Sequence, residues 1–471
     1  MEVALILEGS YPYTTGGLSS WTQQLMEHLP DKRFKIVSIM PGRATLPSVK
    51  YRMPKNVVEV HTLFLEDYML LSPHKRGRSV RLTQDEQKAV ENFLAFDILT
   101  DWELAITTLS NVNKIGTSVE FLKSEYFWEY LLDRYQQDYA AKDFNRHFWS
   151  LISMYVPLLT LIQQEGPRAD VYHSLSTGYA GLMGLVYKFR YGKPLILTEH
   201  GIYAREREEE IINASWVADD FKTIWIRYFY AMSTGVYKSA DMVASLFNRN
   251  RDIQIELGSP SAKTVVIPNG VQVESYAERT NWDNRTNIGA ILRVVHIKDV
   301  KTLIRAFKIV NSELPDTKLF IIGSGDEDLE YYLECKQLVD LLLLNGKVEF
   351  TGQVDIQTYL PLLDLLVLTS LSEGQPLVML EGMAAGLPFV ATDVGSCSEL
   401  LLGQGDDSIG PAGIIVPPVS PEETAQAITV LLQDQAMRSE MGKNARLRVE
   451  KYYNQGQFIE SYRQAYDRLG K

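Results

Sequence analysis

Cysteine is nearly absent: among 471 residues, Cys335 and Cys397 stand alone. Two thiols cannot build a disulfide framework or a four-cysteine zinc site, and such scarcity fits a reducing compartment. Basic charge is also in short supply. The 47 Lys and Arg stand against 59 Asp and Glu, a net charge of −12, which excludes a nonspecific coat for nucleic acid or another polyanion. Long apolar runs are missing too. The stretches 93–106 and 360–371 are broken by Asp97, Asp101, Glu103 and Asp364, so neither suits a membrane span. The first apolar run, 3–7, follows Glu2 rather than a basic flank and is too short for a secretory signal. It reads as a first strand. The sequence also lacks tandem repeats and low-complexity tracts. The expectation is a cytosolic protein with no direct membrane span, brought to the inner face of the cell membrane through partners.

What is present is the alternation of an α/β protein. Hydrophobic residues make up 45% of the chain and charged residues 23%, ordinary for a soluble α/β protein and enough for two large domains at this length. Short β-branched runs at 3–7, 35–39, 57–61, 170–173, 195–198, 242–245 and 264–267 predict strands of a first Rossmann-like domain over 1–270. Its first strand leads through Gly16-Gly17 into a helix whose apolar residues Leu18, Trp21, Leu25 and Leu29 recur at three- and four-residue steps. Between about 82 and 164 the pattern turns helical and aromatic, with Phe121, Tyr126, Phe127, Trp128, Tyr130 and Leu131 close together. This predicts a helical insertion whose aromatic stripe is core rather than binding surface. A polar, aperiodic linker is expected at 271–286. Runs at 288–293, 318–322, 347–350, 365–368, 389–391 and 413–416 then predict a second Rossmann-like domain over 287–451. A terminal segment, 452–471, reads as a helix crossing back to the first domain. The fold class expected is therefore α/β, two Rossmann-like domains facing a central cleft.

Chemistry concentrates in Ser372-Glu373-Gly374-Gln375-Pro376-Leu377-Val378-Met379-Leu380-Glu381-Gly382, which follows a predicted strand. Proline near the start and Gly386 past the end fit a short helix over 376–385. Glu373 precedes that helix, and Glu381 lies about 7.5 Å up its axis at 1.5 Å per residue, leaning back toward the start. A helix N-terminus attracts phosphate, so a nucleotide diphosphate laid across it would put Glu381 near a ribose diol and Glu373 near a sugar. Arg293 and Lys298 follow the first strand of the second domain, the end at which doubly wound sheets bind ligands. A departing diphosphate needs such lasting positive charge. Asp326-Glu327-Asp328 resembles a metal-binding acidic triplet but opens a helix after Gly323-Ser324-Gly325, which predicts simple capping. The run Arg205-Glu206-Arg207-Glu208-Glu209-Glu210 predicts a solvated helix face.

These residues resemble glycosyltransferase family 4, and within it the PelF branch of exopolysaccharide enzymes. The resemblance rests on Glu8-Gly9-Ser10-Tyr11-Pro12-Tyr13, Gly16-Gly17-Leu18-Ser19-Ser20-Trp21, Thr198-Glu199-His200-Gly201-Ile202-Tyr203, Pro268-Asn269-Gly270-Val271, the 293–298 segment and the Glu373/Glu381 pair. It implies a GT-B fold, retention of anomeric configuration, a UDP-sugar donor and no cofactor or essential metal. By the same resemblance, Arg293 and Lys298 would neutralise the donor phosphates. Glu381 would bind ribose, and Glu373 would contact the donor sugar, with Gly374, Pro376, Leu377 and Gly323 around the donor. Gly16 and Gly17 would let the first helix start approach the diphosphate, and His200 would orient the sugar. Implied partners are a glycan acceptor and membrane-embedded polysaccharide synthesis and export proteins. Two positions depart from the family pattern: Gln375 replaces an aromatic, which bears on donor-sugar identity, and Ser396-Cys397-Ser398 stands where a glycine and a proline often precede a glutamate.

The expectation is a hexosyltransferase acting on a growing Pel-type exopolysaccharide or another glycan. Rival readings are a glycoside hydrolase using Glu373 and Glu381, which leaves Gly17, Arg293 and Lys298 idle, a nucleotide-sugar epimerase on a similar fold, and a non-catalytic UDP-sugar-binding scaffold.

Overall fold

The computed structural model describes residues 1–70, 79–277 and 286–471. They form two compact units. One gathers Met1–Ser245, Asn250–Val266 and Tyr462–Lys471, the other Leu246–Arg249 and Ile267–Ser461.

The first unit is built on seven strands: β1 (Glu2–Glu8), β2 (Arg33–Met40), β3 (Val57–Phe64), β4 (Val171–Ser174), β5 (Leu195–Glu199), β6 (Met242–Ser245) and β7 (Thr264–Val266). They lie in the order β3-β2-β1-β4-β5-β6-β7, every pairing parallel. Strand β5 is buried at all five positions and β1 at all but its ends. A sheet covered on both faces needs strands that are mainly apolar, and the polar Thr198 and Glu199 at the end of β5 are buried as well. The chain reverses direction across the sheet between β1 and β4, and loops beyond the carboxyl ends of strands at such a point form the natural ligand crevice of an open α/β sheet.

Between β3 and β4 stand helices Gln84–Leu94, Trp102–Leu109, Glu125–Arg134 and Phe144–Gln163, with shorter pieces between them and a π-helical turn at Tyr135–Tyr139. Thr83 with Glu86, and Thr117 with Glu120, close capping boxes that start two of these helical pieces. Phe121, Phe127 and Leu131 are fully buried, whereas Trp128 keeps 45% of its surface exposed. The aromatic stripe is thus core with one outward-facing member.

The second unit holds β8 (Asn287–Ile291), β9 (Lys318–Ile322), β10 (Val348–Gly352), β11 (Leu365–Leu368), β12 (Phe389–Thr392) and β13 (Gly413–Val416). Their order is β10-β9-β8-β11-β12-β13, again all parallel. Both sheets carry the doubly wound strand order, so the α/β, Rossmann-like expectation holds for each unit.

Several expected boundaries move. Strand β8 ends at Ile291, two residues short of Arg293, although Leu292 N–H still reaches Ile322 O at 2.9 Å. The expected helix 376–385 runs Leu377–Ala384, because Pro376 is extended, with ψ 115°, and serves as its N-cap. The start of the expected linker, 271–277, is not free chain. Val271 is buried and forms a parallel bridge with Asn454, since an apolar residue there gains more from packing than from solvent. The remainder, 278–285, lies outside the described residues. The terminal helix spans Gln455–Leu469, and its residues from Tyr462 onward group with the first unit. There Tyr466 and Tyr462 are fully buried, the first 2.7 Å from His173 Nδ1 and the second 2.9 Å from Thr198 Oγ1.

Candidate active site

Two clusters sit beyond the carboxyl ends of the central strands, one in each unit. In the first unit, β1 leads to Gly16 and the helix Gly17–Glu27, whose N-terminus has no side-chain cap. A Cβ built on Gly16 or Gly17 would meet nothing within 4 Å, so the start of this helix faces open space. One turn on, Trp21 stands edge-on to the His200 ring, with centroids 5.0 Å apart. His200 Nε2 is buried without a hydrogen-bond partner. Burial pushes the imidazole down to about 4, so the ring is neutral at pH 7. Such a ring is a weak base but a serviceable hydrogen-bonding group.

What holds His200 is its neighbour Glu199, which the motif contained but to which sequence reasoning gave no role. Its Oε1 accepts from Tyr203 N–H at 3.0 Å and Thr177 Oγ1 at 3.2 Å, and its Oε2 from Tyr237 OH at 2.5 Å and Gln254 Nε2 at 2.9 Å. The Tyr203 bond satisfies the first free N–H of the helix Tyr203–Asn213 and so closes the His200-Gly201-Ile202 turn. Burial raises the Glu199 carboxyl to about 7 despite these donors. Glu8, at the end of β1, accepts from Tyr179 N–H at 3.0 Å and Tyr203 OH at 3.3 Å, and burial raises it as well. A glutamate closing an apolar strand directly before a histidine is the signal that could have singled out Glu199. In the helix after it, Arg205 is exposed, while Arg207 lies 5.2 Å over the Tyr203 ring and pairs with Glu210 at 2.7 Å. That helix is therefore solvated only in part.

In the second unit, the structure brings Lys298 and Glu373 together. Their ion pair is largely shielded, the side chains 16% and 10% exposed, and Ser370 Oγ donates to the same Glu373 oxygen at 2.5 Å. Asp299 at φ 43° caps the helix Val300–Glu313, which turns the chain sharply after Lys298 and aims it at the β11 loop. Glu373-Gly374 is held from behind by Gly395, whose φ is +53° and whose Cβ would stand 2.2 Å from Glu373 O and 2.4 Å from Gly374 O. Only glycine fits there. Ser396 N–H adds a bond to Gly374 O at 3.0 Å.

The helix Leu377–Ala384 starts after Pro376 with no side-chain cap, leaving its first N–H groups available to an anion. Leu377 is half-buried at its first position. Glu381, also half-buried, hydrogen-bonds to the Tyr276 hydroxyl, and burial raises its carboxyl. Tyr276 was missed by sequence reasoning, because it falls in the stretch expected to be linker.

Arg293 does not join Lys298. Its Nη1 reaches both oxygens of Glu327, at 2.6 and 2.5 Å, with the arginine side chain 58% exposed. Gly323 lets the end of β9 pass close to β8, since a Cβ there would lie 2.0 Å from Leu292 O. Gln375 is 7% exposed, and its Oε1 accepts from Asn269 N–H at 2.6 Å. The departure from the family's aromatic thus serves the 268–270 turn. Glu399, beyond the departing Ser396-Cys397-Ser398, accepts from Asn248 and Arg249 N–H at 3.1 and 3.0 Å. Both cysteines are buried. Among the described residues, no three His, Cys, Asp or Glu side chains gather as metal ligands, and no helix is long and apolar enough to cross a membrane.

Residues 1–262 match the family described as "Domain of unknown function (DUF3492)", and residues 273–448 match "Glycosyl transferases group 1". An uncharacterised glycosyltransferase of Methanocaldococcus jannaschii is 24% identical over 303 residues, 61% of this chain and 72% of its own. The Escherichia coli UDP-Gal:alpha-D-GlcNAc-diphosphoundecaprenol alpha-1,3-galactosyltransferase is 26% identical over 323 residues, 65% of this chain and 75% of its own. Among solved structures, Anabaena HepE in complex with UDP matches at a TM-score of 0.63 and 15% identity, with 100% of each chain covered. Sucrose-phosphate synthase from Thermosynechococcus elongatus matches at 0.61 and 17%, covering 99% of this chain and 98% of its own. At these identities the solved structures speak for the fold.

Proposed function

We propose that this chain, which belongs to the DUF3492 family through residues 1–262 and to the group 1 glycosyl transferases through residues 273–448, transfers a hexose or N-acetylhexosamine from a UDP-sugar, with retention of anomeric configuration. The protein is a glycosyltransferase that uses a nucleotide sugar. The acceptor in this reading is a growing exopolysaccharide of the Pel type or a related glycan, presented by membrane-embedded partners.

The observation that carries the donor site is the shielded Lys298–Glu373–Ser370 cluster beside the uncapped start of Leu377–Ala384. Lys298 and Arg293 would neutralise the leaving diphosphate, and the helix start would bind it through backbone N–H groups. With that much positive charge from the protein, departure of UDP needs no metal ion. Once the diphosphate takes Lys298, Glu373 is released to hold the donor sugar, and Glu381 with Tyr276 would receive the ribose. In the first unit, neutral His200, fixed by Glu199, would orient the sugar rather than take a proton, and the Gly17 helix start would offer further N–H groups.

The test is UDP release by the purified protein over a panel of UDP-sugars in EDTA, with Glu373→Gln as control. Release from one sugar, lost in the variant, is the expected result and names the donor. Release that requires an added divalent cation would refute metal independence, and UDP-sugar binding with no release in the presence of glycan acceptors would refute transfer.

A further inference from the structure

We propose that Glu327 is a stand-in for the donor's diphosphate: it occupies Arg293 while the site is empty and gives the guanidinium up when the nucleotide arrives. This inference rests on the donor site proposed above. The acidic triplet Asp326-Glu327-Asp328 divides its work unequally. Asp328 caps the helix Leu329–Leu341, with Oδ1 accepting from Tyr331 N–H at 3.1 Å, and its Oδ2 meets His296 Nδ1 at 2.8 Å. Asp326 accepts from Ser324 Oγ at 3.1 Å. Glu327 has no part in the cap, and its two oxygens both face a single nitrogen, Arg293 Nη1.

The backbone builds this meeting. Leu292 N–H reaches Ile322 O and Val294 N–H reaches Ser324 O, each at 2.9 Å, so the loop carrying Arg293 runs alongside the loop carrying Glu327. Gly323, with no room for a Cβ against Leu292 O, sets how closely the two run. The carboxylate therefore sits where an arriving anion would have to go. Both side chains remain open to solvent, 58% and 57% exposed, so the exchange requires no unfolding. Exposed ion pairs of this kind are weak, whereas a guanidinium facing two or more phosphate charges makes stronger, charge-assisted bonds. The exchange accordingly runs toward the nucleotide. Until then, Glu327 holds Arg293 in place and shields it from other anions, and it subtracts a modest amount from donor affinity.

The test is calorimetric titration of UDP into the full-length wild type, Glu327→Gln and Glu330→Gln at one fixed low ionic strength. Glu330 is exposed three residues on, in the first turn of the helix Leu329–Leu341, and is not a partner of Arg293, so its variant removes the same charge without freeing the guanidinium. The expected result is UDP binding about two- to fivefold tighter in Glu327→Gln, the scale of a lost surface pair, and unchanged in Glu330→Gln. Unchanged or weaker binding in Glu327→Gln would overturn the exchange. Equal tightening in both variants would reduce Glu327 to a contributor to the general field, and overturn it as well. A wild type that binds no UDP would bring down the donor site itself, whereas a wild type that binds UDP with Glu327→Gln unaltered would sink only this inference.

Discussion

Removing the ammonium of Lys298 while keeping its stem, as in Lys298→Met, separates the resting role of the Lys298–Glu373 pair from its role in turnover. In the resting protein the change strands a carboxylate that is only 10% exposed and leaves the Ser370 hydroxyl as its donor among the contacts described. A shielded carboxylate deprived of its partner costs at least about 1–3 kcal/mol. For a unit of this size that is a fall in melting temperature on the order of 5 °C. The double variant Lys298→Met/Glu373→Gln removes the stranded charge and should recover most of that fall. Turnover behaves differently, because the diphosphate loses its counter-charge in both backgrounds. UDP release should drop by about a hundred- to a thousandfold, or roughly 2.7–4 kcal/mol of barrier, and the second substitution should restore none of it. Thermal melts and UDP release on the same three proteins supply both readouts. Release within about tenfold of wild type would refute the phosphate role of Lys298. A silent variant with an unmoved melting temperature would instead refute the stabilising value of the resting pair.

Gly395→Ala should fold poorly or melt early and lose UDP release beyond what its stability explains, since a left-handed φ costs about 1 kcal/mol for alanine and the new Cβ would sit 2.2 Å from the backbone oxygen of Glu373. Normal release would show that the 373–374 loop tolerates displacement. Glu199→Gln tests the buried carboxyl near His200: with a folded value of about 7 against 4.5 unfolded, the native state holds the proton more tightly. Glu199 therefore contributes stability that is full below about pH 4.5 and is lost as pH rises through 7, a span worth about 3 kcal/mol. His173 and His200, pushed down by burial to about 3 and about 4, act in the opposite sense and lose stability as pH falls below 6.5. The difference in melting temperature between Glu199→Gln and wild type isolates the glutamate and should shift in the variant's favour from pH 5 to pH 8; a flat difference would refute the raised carboxyl.

Both sheets were legible in the sequence because a parallel strand covered on two faces reads as a short, mainly apolar run, as at 3–7 and 365–368. The helical insertion was legible for the complementary reason, a change of period. The loops were not, because a loop residue's role is set by what lies opposite, and that is a property of the whole fold. Tyr276 looks like linker until Glu381 is seen to meet its hydroxyl from 105 positions away, 381 less 276. Arg293 and Glu327 were each noticed, but nothing in a separation of 34 residues says that the cation would be found on the acid.

Gln375 makes the same point most sharply. As a departure from a family pattern beside Glu373, it invites a reading in terms of the donor sugar. Its side chain instead accepts from the backbone of Asn269, 106 residues earlier, at 7% exposure. A glutamine buried in this way is committed, because withdrawing Oε1 toward a ligand would leave the Asn269 N–H without its acceptor in a place water does not reach. Donor choice must therefore be sought in side chains with capacity to spare. In the proposed donor site Glu373, once a diphosphate had drawn off Lys298, would be such a side chain.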